Sequence, residues 1–252
     1  MKKTLKISLI VVLIAILSPL AVKVVYRLAS SKTPQFIGQS FTRINTDRKL
    51  VALTYDDGPA PPYTDSILSI LQKKNVKASF FLIGRNAQEN YELSQRIHEQ
   101  GHEIGNHTWS HRDMIFKSPS FIKTEIEKTD SLIRSLGYTE QIFFRSPRGM
   151  KLILLPWYLH QNDRVNVLFD VVPIDWENLS CKEMLDRALA SVKEGSIILL
   201  HDGGGDRNET VELTSLLIDS LHHRGYEFAT ITELLNAASP GLKIPNHWGS
   251  SE

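Results

Sequence analysis

The sequence predicts an α/β fold built on a largely parallel sheet, and three observations support this prediction. Short runs rich in β-branched residues alternate with longer amphipathic segments, which is the pattern of repeated strand–helix units. The 252 residues suffice for one large domain and an appendage. The unusual polar residues directly follow predicted strands, as they do in barrel and open α/β enzymes. The pattern alone allows either an open sheet or a closed barrel.

Strands and helices alternate from residue 49 onward. The predicted strands are residues 49–55, 78–83, 103–106, 142–145, 165–169, 196–200 and 227–230. The predicted helices are residues 64–74, 87–100, 119–136, 154–161, 181–193 and 209–224. In the third of these helices, Ile122, Ile126, Thr129 and Ile133 fall on one face, so we expect this face to be buried.

An apolar run at residues 7–22 follows a basic start to the chain and is itself followed by Lys23. With residues 24–26 it approaches the about 20 residues that span a bilayer. No small-x-small cleavage site follows, so the pattern favours an uncleaved transmembrane helix over a signal peptide. The predicted division of the chain is an anchor or signal segment at 1–29, a linker at 30–48, a catalytic domain at 49–236 and a tail at 237–252.

Charge and cysteine content are also informative. The net charge of +1 gives no reason to expect nucleic acid as a partner. Cys181 is the single cysteine, so the chain forms no internal disulfide. Its distance along the chain from the other polar motifs favours a packing role over a nucleophilic one.

Two adjacent carboxylates, Asp56 and Asp57, follow the first predicted strand on a turn imposed by Gly58 and Pro59. Neighbouring residues at a strand end point in different directions. One carboxylate can therefore bind a metal while the other transfers a proton. Taken alone, this motif is also a common surface turn.

Three histidines are candidates for the same site. His107 and His111 follow the third predicted strand, and on a helical turn their imidazoles would project to one side and share a zinc ion. With a carboxylate from another strand end they would complete a three-ligand site that keeps one position open. His201 ends a buried run, and its unperturbed pKa of about 6.5 suits a general acid. From that segment alone, a packing histidine is equally consistent.

Taken in order, five segments resemble the polysaccharide deacetylase family, also called the NodB-homology domain or carbohydrate esterase family 4. The resemblance covers about residues 49–235. The matching segments are Thr54-Tyr55-Asp56-Asp57-Gly58-Pro59, His107-Thr108-Trp109-Ser110-His111, Arg145-Ser146-Pro147-Arg148-Gly149, Asp175-Trp176 and Leu199-Leu200-His201.

The resemblance implies a distorted (β/α) barrel with about seven parallel strands and a hydrolytic metal site. Asp56 would be the base that deprotonates the attacking water, Arg145 would position it, and His201 would protonate the departing amine. A backbone N–H near Arg148 would stabilise the oxyanion. The implied ligands of one divalent ion, typically zinc, are Asp57, His107 and His111, and the implied substrate pocket is Trp176, Leu199, Arg148 and Asp175.

Two positions depart from the family pattern. Arg148 stands where an aromatic residue is usual, so the substrate groove loses an apolar wall. Val172 stands where the family commonly has an aspartate that supports the acid histidine. We therefore expect a lower pKa for His201 than in relatives with that aspartate, unless Asp170 or Asp202 takes its place.

The resemblance implies a hydrolase that removes N-acetyl groups from an envelope polysaccharide, either peptidoglycan or a chitin-like polymer. With the apolar run at residues 7–22, it predicts a single-pass membrane protein whose catalytic domain is extracytoplasmic. A secreted enzyme is the alternative if residues 1–29 are cleaved. The rival functions are an O-acetyl polysaccharide esterase and a weak or inactive sugar-binding relative. A two-metal phosphoesterase would need more ligands than the sequence offers. The expected partners are the polysaccharide and the membrane, and the sequence indicates no nucleic acid and no protein partner.

Overall fold

The computed structural model describes residues 37–240 together with residues 23, 24, 26, 27 and 29. Within these residues, strands and helices alternate as the sequence predicts. The strands are β1 (Gln39–Phe41), β2 (Leu50–Asp56), β3 (Ser79–Leu82), β4 (Glu103–Asn106), β5 (Val165–Val167), β6 (Ile197–His201) and β7 (Glu227–Ala229). The helices are α1 (Tyr63–Lys74), α2 (Gly84–Glu89), α3 (Tyr91–Glu99), α4 (Pro119–Ser135), α5 (Leu154–Gln161), α6 (Cys181–Ser191), α7 (Asn208–His223) and α8 (Ile231–Asn236), with a 3-10 turn at Pro147–Gly149.

The named strands pair in parallel. Their order is β4–β3–β2–β6, with β7 beside the first residues of β2, and β1 pairs with β5. Phe144 bridges Asn106 of β4 to Asn166 of β5, and a further bridge joins Val171 to Ile198 of β6. The strands and bridges thus form a closed circuit, from β6 through β2, β3 and β4 to Phe144, and then through β5 and Val171 back to β6. A distorted barrel requires such a circuit.

Side chains of β2 and β6 alternate between two apolar layers. Tyr55 packs in the cluster between the strands and helices α1, α3, α6 and α7. Ala52 and Ile197 pack in a second cluster with residues of β3, β5 and α8, on the inner side of the ring. Because side chains alternate along a strand, Asp56 and His201 also point inward. The inner, carboxyl end of these two strands therefore carries polar groups.

The predicted strand at residues 142–145 is shorter in the structure and consists of the bridges at Phe144. Its backbone pairs on both sides, since Arg145 N–H donates to Asn106 and Val167 N–H donates to Phe144. The pairing stops there because the carbonyl oxygen of Arg145 accepts from the His107 ring and not from a neighbouring strand.

Strand β1 lies in the stretch that we expected to be a linker. It pairs with β5, and Ile44 is fully buried in the inner cluster. The linker is therefore shorter than residues 30–48, because the folded body already includes residues 39–44. Three residues are too few to show a strand period, which is why the sequence did not predict this strand.

The predicted helix at residues 87–100 is two helices, α2 and α3, that meet at Asn90. This residue leaves helical geometry, with φ −121° and ψ 52°. Its side-chain amide donates to the carbonyl oxygens of Asn86 and Pro59. Such side-chain competition with backbone hydrogen bonds is typical of asparagine. By contrast, the predicted buried face of α4 is confirmed, and its four apolar or threonine residues are all buried.

Helix α8 was not predicted. Its first N–H groups donate to the buried carboxylate of Glu103, and Thr230 and Glu233 form a capping box at its start. A capping box is a readable signal, but six residues are too few to show a helical period.

No helix in the described part of the chain combines the length and the apolar character needed to cross a bilayer. The transmembrane helix predicted at residues 7–22 lies outside the described residues, as does most of the predicted tail. Cys181 is buried and unpaired, in line with the packing role that we expected.

Candidate active site

The three predicted metal ligands lie together at the carboxyl end of the strands. Asp57 directly follows β2, and His107 directly follows β4. Asp57 Oδ1 is 3.2 Å from His111 Nε2 and 3.5 Å from His107 Nε2. One ligand atom from each residue lies within 4.8 Å of the others. A single cation can therefore contact all three side chains.

The two histidines converge through an irregular loop, and the helical turn that their spacing suggested was wrong. Residues 107–111 form no helix. Thr108 and His111 both have left-handed backbone conformations, with φ of 68° and 55°. The positive φ angles fold the loop back, and this brings the second imidazole beside the first.

Side chains from β4 and α4 hold this loop in place. The Asn106 side-chain oxygen accepts from the backbone N–H of Thr108 at 2.8 Å. The buried carboxylate of Glu125 accepts from both the N–H and the hydroxyl of Ser110, each at 2.8 Å. The residue before His111 is therefore fixed to helix α4.

The donor atoms fit a bound zinc ion. Burial lowers the pKa of His107 to about 3, so its imidazole is neutral and its approach to Asp57 is not an ion pair. His107 Nδ1 donates to the carbonyl oxygen of Arg145 at 2.8 Å, which leaves the Nε2 lone pair free to bind a metal. Asp57 Oδ1 is buried and finds no hydrogen-bond donor among the described residues. A buried carboxylate oxygen beside an imidazole lone pair needs a cation, and one carboxylate with two imidazoles is a zinc donor set.

Asp56 lies beside the predicted ligands, and its two oxygens have different neighbours. Oδ1 accepts from the Arg145 guanidinium at 2.7 Å, whereas Oδ2 is 3.7 Å from His107 Nε2. Burial raises the pKa of Asp56, and the charge of Arg145 opposes that rise. The carboxylate is therefore a stronger base than a solvated aspartate, and it keeps a cation that favours its ionised form.

Arg145 is fully buried and is held from several sides. Its Nη1 also donates to Thr54 Oγ1 at 2.8 Å, and its Nε donates to the carbonyl oxygen of Val167 at 2.9 Å. The Phe81 ring centre lies 3.9 Å from Cζ. These contacts compensate for burial of the guanidinium and fix its position relative to Asp56.

His201 has a carboxylate partner, and that partner is Asp175. The Nδ1 atom of His201 is 2.8 Å from Asp175 Oδ1, and the His201 backbone N–H donates to Asp175 Oδ2, also at 2.8 Å. Asp170 and Asp202, the substitutes that we considered, accept hydrogen bonds from Ser196 and Thr64 instead. Asp175 is thus behind the His201 ring and not in the substrate pocket, where we expected it.

Asp175 thus gives His201 the carboxylate support that Val172 cannot supply, which removes the reason for expecting a lower His201 pKa than in the relatives. Burial lowers this pKa, but the hydrogen bond and charge of Asp175 outweigh burial, with a contribution from Asp56 and Asp57. The net result is a pKa above the ordinary value of histidine. Val172 does not weaken the site, because the Nδ1 side of the ring already has its carboxylate.

The remaining pocket residues fall into two groups. The Trp176 ring is half-exposed and stands edge-on to the His201 ring, with centroids 5.4 Å apart. Leu199 lies two residues before His201 on β6, and therefore on the same side of the strand. Arg148, in contrast, forms an exposed ion pair with Asp113 at 2.9 Å and has a left-handed φ of 56°.

Sequence reasoning missed two features of the site. A Cβ atom on Gly203 would overlap the Asp57 carbonyl oxygen, and one on Gly204, which has φ 75°, would lie 2.8 Å from Asp57 Oδ2. The three consecutive glycines after Asp202 were a readable signal of such a close approach. The contact from Glu125 had no comparable signal, because one acidic residue on an amphipathic helix is ordinary.

Comparisons with known proteins identify relatives of this chain. A sequence profile described as polysaccharide deacetylase matches residues 43–161. A peptidoglycan-N-acetylglucosamine deacetylase of Bacillus cereus is 32% identical over 203 residues, which cover 76% of this chain and 91% of the relative. A chitooligosaccharide deacetylase of Sinorhizobium fredii is 33% identical over 195 residues, which cover 73% of this chain and 91% of the relative. A crystal structure of a peptidoglycan N-acetylglucosamine deacetylase has a TM-score of 0.74 and 33% identity, and the match covers 81% of this chain and 94% of that one.

The α/β fold of parallel strands and the Asp-His-His cluster at their carboxyl ends are typical of one class of protein, the hydrolases with a metal site. The chain belongs to the polysaccharide deacetylase family, carbohydrate esterase family 4. The curated relatives named above are deacetylases, and membership of this family makes the chain a hydrolase. The family resemblance seen in the sequence is confirmed.

Proposed function

We propose that this chain removes N-acetyl groups from N-acetylglucosamine units of an envelope polysaccharide, either peptidoglycan or a chitin-like polymer, with one zinc ion. The observation that carries the proposal is the position of a base and an acid beside the predicted ligands. Asp56 and His201 are partners in the parallel register of β2 and β6. The names of the relatives, which specify peptidoglycan and chitooligosaccharides, support the substrate class.

Asp57, His107 and His111 would hold the metal ion. When bound, such an ion polarises the acetamide carbonyl and makes water easier to deprotonate. Three protein ligands would leave a position open for the reacting groups, as in other catalytic zinc sites.

The proton transfers fall to Asp56 and His201. Asp56 accepts a proton from the attacking water, while Arg145 fixes the second carboxylate oxygen. When the tetrahedral intermediate collapses, the C–N bond breaks and His201 gives a proton to the amine nitrogen. Asp175 engages Nδ1, so Nε2 is the nitrogen that delivers this proton. The products are acetate and the free amine of the sugar.

The rival functions predict different products. An O-acetyl esterase would release acetate from acetylated xylan and not from N-acetylglucosamine oligomers. An inactive sugar-binding relative would bind the oligomer and release no acetate. Intact pairs of Asp56 with Arg145 and of His201 with Asp175 favour the enzyme over the inactive relative.

The deciding experiment measures metal content and acetate release on the same preparation of the full chain. We expect one zinc per chain and acetate from both chitin oligomers and peptidoglycan. Asp56→Asn should keep the metal and lose the acetate. Acetate from acetylated xylan alone would favour the esterase, and a fully zinc-loaded protein that releases none would contradict the proposal.

We also propose that residues 7–22 anchor the chain, with the catalytic domain outside the cytoplasm. The support is the apolar run, its basic flanks and the lack of a cleavage site after it. Membrane fractionation with N-terminal sequencing tests this proposal. A full-length, membrane-bound chain is expected, and a soluble chain that begins near Ser30 would instead identify a signal peptide.

A further inference from the structure

Four large apolar side chains are exposed on two segments of the described chain. Phe116, Ile153, Leu154 and Trp157 are each between 43% and 74% exposed. We call these four residues the apolar face. Exposed apolar residues are ordinary when single, but a group of them indicates an interaction surface.

Three members of the apolar face, Ile153 at the start of helix α5 and Leu154 and Trp157 within it, share one side. Leu155 and Leu159 point the other way and pack in a buried cluster with residues of α4. Ile153 and Leu154 lie four and three residues before Trp157, so the three fall together on the outer side.

Phe116 joins this group through a second buried cluster. That cluster contains Ile115, Met150 and, at its edge, Leu152. Phe116 directly follows Ile115, and Ile153 directly follows Leu152. The two exposed segments therefore emerge from one packed centre.

The N-terminal part of the chain reaches the same place. Ala29 is fully buried in the cluster of Ile115 and Met150, and its carbonyl oxygen accepts from the Lys151 N–H at 2.8 Å. The apolar run at residues 7–22 ends only seven positions before Ala29. The segment proposed to enter the membrane thus connects to the domain next to the apolar face.

We propose that the apolar face rests in the interface of the lipid bilayer, so that the domain is held against the membrane and not only tethered to it. The proposal builds on the anchoring proposed above. After Trp157, the next residues on the outer side of α5 are His160 and Gln161, which are exposed and polar. Trp157 thus stands between an apolar and a polar half of one helix side, the position that tryptophan takes at a membrane surface.

Charge favours the same partner. Lys23 is exposed beside the apolar run, and Lys117 directly follows Phe116. Basic residues at the edge of an apolar surface attract anionic lipid headgroups. A sugar platform, that is, a surface on which sugar rings stack, would instead need polar groups around the tryptophan ring. The nearest neighbours of Trp157 toward the helix start are Ile153 and Leu154.

The docked orientation would bring the membrane close to the substrate site. Phe116 lies on the loop that follows His111, and the turn at Pro147–Gly149, which carries Arg148, leads into Met150. The polysaccharide strands nearest the lipid surface would therefore be the accessible substrates.

The test is tryptophan quenching in vesicles of phosphatidylcholine and phosphatidylglycerol with brominated acyl chains. The full chain is reconstituted, and its tryptophans are Trp109, Trp157, Trp176 and Trp248, so none lies in the proposed anchor. We expect bromolipid to quench the fluorescence and Trp157→Phe to lose most of that quenching. Trp176→Phe, which removes the other half-exposed tryptophan of the described chain, should retain it.

Quenching that survives in Trp157→Phe would overturn the proposal, as would quenching lost in Trp248→Phe instead. A sugar platform would appear as a raised KM for soluble oligomers in Phe116→Ser/Trp157→Ser, with no effect on quenching. Binding of a second copy would appear as dimerisation that this double variant abolishes. The quenching measurement needs no catalysis, so its failure would leave the proposed deacetylase function intact.

Discussion

Asp56 and His201 face each other as direct partners in the register of β2 and β6, and each has its own counter-group. Arg145 opposes the burial-driven rise in the pKa of Asp56, and Asp175 overcomes the burial-driven fall in the pKa of His201. Both pKa values are raised, which makes Asp56 a stronger base than a solvated aspartate and favours the protonated form of His201. A strong base beside a group that holds a proton is what acid–base hydrolysis requires.

Loss of one imidazole should remove the metal. His111→Ala leaves Asp57 and His107 as ligands, and two ligands are too few for a stable zinc site. We expect metal content and acetate release to disappear together, measured by elemental analysis and a turnover assay. His160→Ala changes an exposed histidine on α5 and is the matched control. Stoichiometric zinc in His111→Ala would exclude this residue as a ligand.

Asp56→Asn should separate catalysis from metal binding. The variant keeps the three predicted ligands but lacks the base, so turnover should fall by about 10²–10⁴-fold while zinc content is unchanged. It also leaves the fully buried Arg145 without its carboxylate, so the melting temperature should fall. Near-normal turnover in a folded variant would mean that another group is the base.

Asp175→Asn should shift the alkaline limb of the pH–rate profile. The acid must be protonated, so activity is lost as pH rises through the pKa of His201. The Asp175 carboxylate raises that pKa, and its neutralisation should move the limb to lower pH. Val172→Asp should leave the limb in place, because His201 Nδ1 already has its acceptor. An unmoved limb in Asp175→Asn, or an upward shift in Val172→Asp, would refute this assignment.

Glu125→Gln should weaken metal binding although Glu125 is not a ligand. The two carboxylate oxygens accept from the N–H and the hydroxyl of Ser110. In glutamine one of these oxygens becomes an NH₂ group, which is itself a donor and cannot accept. We expect about a 10-fold weaker zinc affinity, the lower end for groups that orient ligands, in a chelator competition assay. Glu127→Gln, two residues along the same helix, should not change it. Equal affinity in both variants would show that α4 does not control the loop.

The sequence predicted the residues of the site better than their geometry. Functional side chains at the carboxyl ends of β2, β4 and β6 were predictable, because parallel strands bring these ends together. The partner of His201 was not, since Asp170 and Asp175 lie close together in an irregular stretch. A left-handed φ of 68° at Ile174 turns this stretch, and no local pattern announces such an angle. For the same reason the loop of His111 was taken for a helical turn.

The ring of strands is joined by single bridges at Phe144 and between Val171 and Ile198. Segments held by so few hydrogen bonds open at a lower free energy than continuous ladders, so their amide hydrogens should exchange with solvent earlier than those of β2 or β3. We call these bridged segments the seam. Arg145 lies next to it and donates to the carbonyl oxygens of Val167 and Leu168, which lie on the chain between the bridges. Each opening of the seam would release Arg145, the cation that opposes the burial-driven rise in the pKa of Asp56. Mild denaturant should therefore reduce turnover in step with amide exchange at the seam, well before the whole domain unfolds.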